Sequence, residues 1–159
     1  MLYSLLALLV SLLLVAATAS TGARFRPDEW YRQLQKPGWT PPDIVFPIAW
    51  GILYLLMAIA AWRIYMAEDS PFRTASLAVY GFQLIANAAW SWLFFGRKQI
   101  AAALADIALL LGLLTLAIVL FANVSVLAAS LMVPYWLWVL LALTLNASVL
   151  LLNRGQGQS

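Results

Sequence analysis

Residues 99–152 read QIAAALADIALLLGLLTLAIVLFANVSVLAASLMVPYWLWVLLALTLNASVLLL, and they decide the fold class. Asp106 is the single charged residue in the stretch. The polar break Ala122-Asn123-Val124-Ser125 divides it into two apolar runs, 99–121 and 125–152. Each is at or above the ~20 residues that cross a hydrocarbon core as helix, at a rise of about 1.5 Å per residue. A helix that is apolar all round needs lipid or a large core about it. A chain of 159 residues cannot supply that core.

The rest of the chain repeats the pattern. Further apolar runs cover 2–22, 43–66 and 72–95, and 65% of all residues are hydrophobic against 9% charged. An ordinary soluble domain is about 45–50% apolar and about 25% charged. With lipid as solvent, each span must satisfy its own backbone, which helices and closed barrels alone can do. These runs are too long, and their turns too short, for barrel strands. The expected fold class is all-α: a five-transmembrane-helix bundle, one integral membrane domain over 1–159, with a long structured loop between the first two spans. The first run lacks a cationic leader segment and is long for a secretion signal, so it is expected to be a span.

The missing residue types exclude much chemistry. Cysteine and histidine are absent, and the six acids are scattered. That removes thiolate sites, the commonest general base and the usual axial ligand to haem iron. No metal site and no obligatory cofactor are expected. The formal net charge is +3, with the cations in short loops, where they read as topology signals and not as a nucleic-acid surface. Arg24, Arg26, Arg32, Lys36, Arg97, Lys98 and Arg154 fall on one side of the membrane, and Arg63 and Arg73 on the other. The imbalance predicts an external N-terminus and a cytoplasmic C-terminus.

The connection over 24–42 is the long one. It holds four prolines, Trp30, Tyr31, Trp39 and four cations. Arg24, Asp28 and Arg32 are four apart, and Pro27 suits a first helical turn, so a short helix is predicted over Asp28–Gln35. Pro37, Pro41 and Pro42 then force an extended return. A stiff surface hairpin and a lid over a pocket are the two readings of this segment.

Depth separates the aromatic residues. Trp62, Tyr65 and Trp92 suit the interfacial belt, whereas Trp50 and Trp138 fall deeper. Phe46, Trp50 and Tyr54 share one helical face; so do Gln83, Asn87, Trp90 and Ser91, and so do Tyr135, Trp138, Ala142 and Asn146. Polar groups within a span are costly and should point inward. By topology these stripes, with Asp106, converge in the leaflet beneath the long loop. Taken singly, Gln83, Asn146 and Asp106 read better as ties between helices. Taken together, Trp50, Trp90 and Trp138 read as pocket walls. Such a pocket, rimmed by Arg24, Arg26, Arg32 or Lys36, suits a planar apolar ligand with a carboxylate edge. A tetrapyrrole with propionates answers that description, with or without a metal.

The same residues carry a resemblance. Lys36-Pro37-Gly38-Trp39-Thr40-Pro41-Pro42 followed by Phe46-Pro47-x-x-Trp50-Gly51-x-Leu53-Tyr54 resembles the signature of the translocator protein family (TspO, the peripheral benzodiazepine receptor). Gln83-x-x-x-Asn87-x-x-Trp90-Ser91-x-x-Phe94-Phe95-Gly96 is similar to its third-span motif, and Pro134-Tyr135-x-x-Trp138 with Leu145-Asn146 to its fifth. The likeness covers nearly the whole chain and is closest to bacterial members. It implies a receptor, often a homodimer, for protoporphyrin IX and related tetrapyrroles, and for synthetic benzodiazepine-type ligands. Its expected location is a bacterial inner membrane, with the outer membrane as the alternative. It matches Trp50 and Trp138 to the tryptophans implicated in light-dependent porphyrin breakdown, and Ala142 to a small pocket residue.

On this basis the expected ligand-binding set is Trp39, Phe46, Trp50, Tyr54, Asn87, Trp90, Asp106, Tyr135, Trp138, Ala142 and Asn146. Lid and carboxylate contacts are expected from Arg24, Trp30, Arg32 and Lys36. The family's proposed cholesterol motif needs a tyrosine where this chain has Ala147, so little specific sterol binding is expected through it. Ala75, Ala78, Gly81 and Ala86 are small residues that would let helices approach in a dimer. The competing functions are a transporter of tetrapyrroles or similar amphiphiles and a purely structural membrane protein. Transport usually brings a repeat and broken helices, and here Pro134 alone interrupts a span.

Overall fold

The computed structural model describes residues 2–67 and 70–155. The chain runs through α1 (Leu2–Arg24), α2 (Glu29–Gln33), α3 (Val45–Met66), α4 (Arg73–Ser91), α5 (Ile100–Ala122) and α6 (Val126–Asn153). A π-helical turn, Trp92–Gly96, continues α4. No strand occurs among the described residues. All but α2 belong to helical segments long and apolar enough to cross a membrane. Around the bundle the order is α1, α3, α6, α5, α4 and back to α1, with α3 also touching α4.

The polar break at 122–125 does what its residues favour. Ser125 is extended and caps α6, its hydroxyl accepting from the Ala128 N–H at 3.3 Å. The turn between α4 and α5 is less ordinary. Gln99 N–H reaches back six residues to the Leu93 carbonyl at 3.0 Å, and Lys98 takes the left-handed position with φ 56°. Glycine is the usual occupant there, because a Cβ strains that conformation.

Inside lipid, helices associate through close packing and polar ties more than through the hydrophobic effect. Ala58, Ala60 and Ala61 are buried on α3, which packs closely against α1. α4 inverts the soluble pattern: Ser76, Gln83, Asn87 and Ser91 are buried, while Phe82 and Ile85 are over 60% exposed. Its polar face can point only into the bundle, and this fixes the rotation of the helix.

Three local expectations need correction. The loop helix spans Glu29–Gln33 and not Asp28–Gln35. Asp28 is its N-cap and Leu34 is already extended, because the Gln35 backbone is claimed from elsewhere: Asn153 accepts from its N–H at 3.0 Å and donates to its carbonyl at 2.9 Å. Arg24 is the last residue of α1, so the connection begins one residue later. Ala86 is buried inside the bundle, which removes it from any outward stripe with Ala75, Ala78 and Gly81.

Candidate functional site

Two groups of aromatic side chains lie at the loop end of the bundle. In the first, Trp50 stacks on Tyr54 at 5.3 Å between centroids and meets the Tyr135 ring edge-on at 5.9 Å. Phe46 meets Trp138 at 5.7 Å, which carries the group from α3 to α6. Ala142 packs partly buried against the same core. In the second group, Trp90 stacks on Phe94 at 5.4 Å, and Phe94 and Phe95 contact each other at 4.9 Å. Trp30 and Tyr31 of α2 sit on these rings, with centroids 6.0 and 6.1 Å from Phe94. The wide π turn lets consecutive Phe94 and Phe95 both reach α2. Trp90 packs against both the main core of the bundle and the smaller core beneath α2.

Three contacts hold α2 and its flanks to the bundle, and Lys36 stiffens the loop itself. Asp28 accepts from the Tyr31 N–H and pairs with Lys98 at 2.8 Å. The Lys98 ammonium also lies 5.5 Å from the Trp30 ring centre, so the strained turn carries a cation to both. Lys36 lies 4.5 Å from the Tyr31 ring centre and donates to the Arg32 and Leu34 carbonyls. Asn153 holds Gln35 as described above. Phe25 covers Gly96 so tightly that a Cβ there would lie 2.9 Å from its ring. The Lys98 ammonium and the Tyr31 N–H hold the Asp28 carboxyl below the usual aspartate range, and burial, then the Asp43 charge, pushes the Tyr31 phenol up.

Beneath the rings runs a directional chain of hydrogen bonds. Tyr54 Oη donates to Asn87 Oδ1 at 3.0 Å, Asn87 Nδ2 to Tyr135 Oη at 2.6 Å, and Tyr135 Oη to Gln83 Oε1 at 3.1 Å. Trp90 Nε1 donates to Asn146 Oδ1 at 3.1 Å, and Asn146 Nδ2 to the Ile100 carbonyl at 3.1 Å. The amides therefore tie α3, α4, α5 and α6 together. Two of the deep tryptophans stay out of this: among the described residues, neither Trp50 Nε1 nor Trp138 Nε1 has a protein acceptor, whereas Trp62, Trp90 and Trp136 do.

The matching family model is that of the TspO/MBR family, over residues 5–152. The chain belongs to the TspO/MBR family. The tryptophan-rich sensory protein of Cereibacter sphaeroides is 42% identical over 86% of this chain and 85% of its own. Protein CrtK of Rhodobacter capsulatus is 39% identical over 89% of each, and the human translocator protein 37% identical over 84% and 82%. With five spanning helices and this membership, it is a multi-pass membrane protein.

The structure of this TspO/MBR member gathers most of the residues singled out from sequence. Phe46, Trp50, Tyr54, Asn87, Tyr135, Trp138 and Ala142 lie together, and Trp90 and Asn146 adjoin them. Trp39 does not join: it is half exposed and stacks on no ring. Of the rim residues, Trp30 lies on the second group, Arg24 is exposed at the end of α1, and Arg32 pairs in the open with Glu29 at 3.6 Å. Lys36 is taken up by Tyr31 and two carbonyls, which sets it apart from a free anion contact. Sequence reasoning missed Lys98 and Asn153 as fasteners, since both act across gaps in sequence that no spacing rule spans. A groove of about 1060 Å³ opens elsewhere, on the lipid-facing side between α1 and α4, lined by residues such as Val10, Leu14, Gly81 and Ile85.

Proposed function

We propose that this protein is a membrane receptor for tetrapyrroles of the protoporphyrin IX type, held among the aromatic side chains beneath the α2 lid. The observation that carries the proposal is the pair Trp50 and Trp138. Both lie among aromatic rings, and both present an indole N–H that no protein group takes among the described residues. Tryptophan within a membrane normally aims that group at a partner. A flat ring with polar edges supplies one and stacks on the same walls. The propionates would meet the cations at the loop end, among them the exposed Arg24, Arg26 and Arg32.

The packed rings define the manner of binding. Trp50 touches both Tyr54 and Tyr135, so a ligand must part Phe46 and Trp138 and lift α2 before it can seat. Under illumination an electron passes between Trp50 or Trp138 and the excited porphyrin, and dioxygen, the oxidant, then adds to the ring radical and breaks it open. The N-terminus is placed outside and the C-terminus in the cytoplasm of a bacterial inner membrane. A homodimer belongs to the same proposal, paired along the face of α4 that carries Ala78 and Gly81. Synthetic benzodiazepine-type ligands would use the same aromatic walls.

Titration of the purified protein in nanodiscs with protoporphyrin IX in the dark tests the binding. Saturable quenching of tryptophan fluorescence with one ligand per chain is expected. Quenching that grows linearly with porphyrin, as simple partition into lipid gives, overturns the proposal.

A further inference from the structure

The buried polar atoms of the spans do not all find partners. Ser76 Oγ, Gln83 Nε2 and Asp106 Oδ2 lack one among the described residues, and none of the three lines the groove between α1 and α4. The expectation that Asp106 ties helices together therefore fails. Ser11 does line the groove. It is 7% exposed, and its hydroxyl makes no hydrogen bond among the described residues, whereas Thr18, Ser20 and Thr21 of the same helix each donate back to a carbonyl three or four residues earlier. A hydroxyl left in this way inside a membrane calls for a partner.

Ser11 lies nine residues beyond Leu2, about 14 Å in from the end opposite α2, which is near the middle of a hydrocarbon core about 30 Å thick. Gly81 lies eight residues beyond Arg73, about 12 Å in from the same end. α1 and α4 run in the same direction, and a Cβ on Gly22 would lie 3.8 Å from Ser91 Oγ, a register that sets Ser11 level with Tyr80 and Gly81. Gly81 also lines the groove, and a Cβ there would meet nothing within 4 Å. Exposed Val10 and Leu14 line the groove from α1, and exposed Phe82 and Ile85 from α4. No charged residue lines it among the described residues.

We propose that this groove binds a lipid-soluble quinone, with its ring beside Gly81, one carbonyl accepting from the Ser11 hydroxyl, and its tail along the apolar walls. The chemistry of the lining selects the class. An uncharged groove matches an uncharged molecule, and Ser11 asks it for an oxygen at mid-bilayer. Phospholipids, fatty acids and sterols keep their oxygens at the interface, whereas a quinone carries carbonyls on a ring that dissolves in the hydrocarbon. Phe82 offers a ring for that flat head to pack on, and the bare backbone of Gly81 leaves the space for it. The site does not depend on the tetrapyrrole reading. The homodimer proposed above would use the same face of α4, so a second copy and the quinone exclude each other.

Ubiquinone-2 is the probe, titrated in the dark into the protein in nanodiscs free of other quinones, with retained ligand counted against empty nanodiscs. Saturable binding of one quinone per chain is expected. Ser11→Ala should weaken it about fivefold, the worth of one neutral hydrogen bond. Gly81→Leu should abolish it by filling the groove, with circular dichroism showing the spans intact. Chemical crosslinking between copies should fall as the quinone saturates. Retention that rises without saturation, as partition into lipid gives, overturns the proposal. So does either variant binding as wild type does, or crosslinking through α4 that persists at saturating quinone, which assigns the groove to a second copy. If Gly81→Leu fails to fold, Ser11→Ala decides on the same criterion.

Discussion

Tyr135 is the residue on which the bundle centre turns. It is fully buried, accepts from Asn87 of α4 and donates to Gln83 one turn away on the same helix. Tyr135→Phe keeps the ring against Trp50 and removes both bonds, so it isolates the hydroxyl. The expected loss is about 1–2 kcal/mol, read as a lower midpoint in denaturant, because each intramembrane bond contributes modestly and both amides are left short of a partner. The tryptophans separate by role at the same scale. The Trp90 N–H is committed to Asn146, whereas those of Trp50 and Trp138 have no protein acceptor among the described residues. Phenylalanine at both 50 and 138 should therefore leave the fold intact and slow light-dependent porphyrin bleaching on the order of tenfold. An unchanged bleaching rate removes both from the photochemistry. Much of this was legible in the chain, because spacings of three and four put Gln83, Asn87 and Trp90 on one face whatever surrounds them. Which polar residue finds a partner was not: Asn146 and Asp106 look alike in sequence, and only the rotation of α5 against α4 and α6 separates them.

The five spans follow from sequence because length and apolarity are properties of each run alone. The loop did not follow so closely. Its helix stops at Gln33 because Asn153, 118 residues away from Gln35, competes for the backbone. Its attachment to the bundle depends on Lys98 in a conformation that lysine rarely adopts. Two outcomes belong here. Asp28 is held below the usual aspartate range by Lys98, so the docked loop favours the ionised form. The stabilisation is then complete above the ordinary pKa of about 4 and is lost as the pH falls through the lowered value. Protection of the amides over 29–33, taken against the intrinsic exchange rate at each pH, should fall on acidification below that range, and Asp28→Asn should remove that fall. Protection that is flat with pH counts against the pair. Gly96→Ala pushes Phe25 off the end of α4 and should cost about 1–2 kcal/mol. Its signature is loosened contact between the loop and α4, with the spans unaltered.

Across the whole molecule, one end of the bundle is dense with rings and fastenings and the other is not. The aromatic groups, α2, Lys98 and Asn153 all lie at the end where seven of nine cations gather. A receptor that takes its ligand from that side must release α2 to admit it. The chain has no native cysteine, so a single engineered disulfide can lock this step. Gln35→Cys with Asn153→Cys places the pair where the side chain of one already holds the backbone of the other. The most direct measurement is protoporphyrin uptake by this double variant, oxidised and then reduced. Uptake that is abolished or slowed when oxidised and restored on reduction is the expected result. Uptake at the same rate and to the same extent in both states would mean that no pocket lies beneath α2.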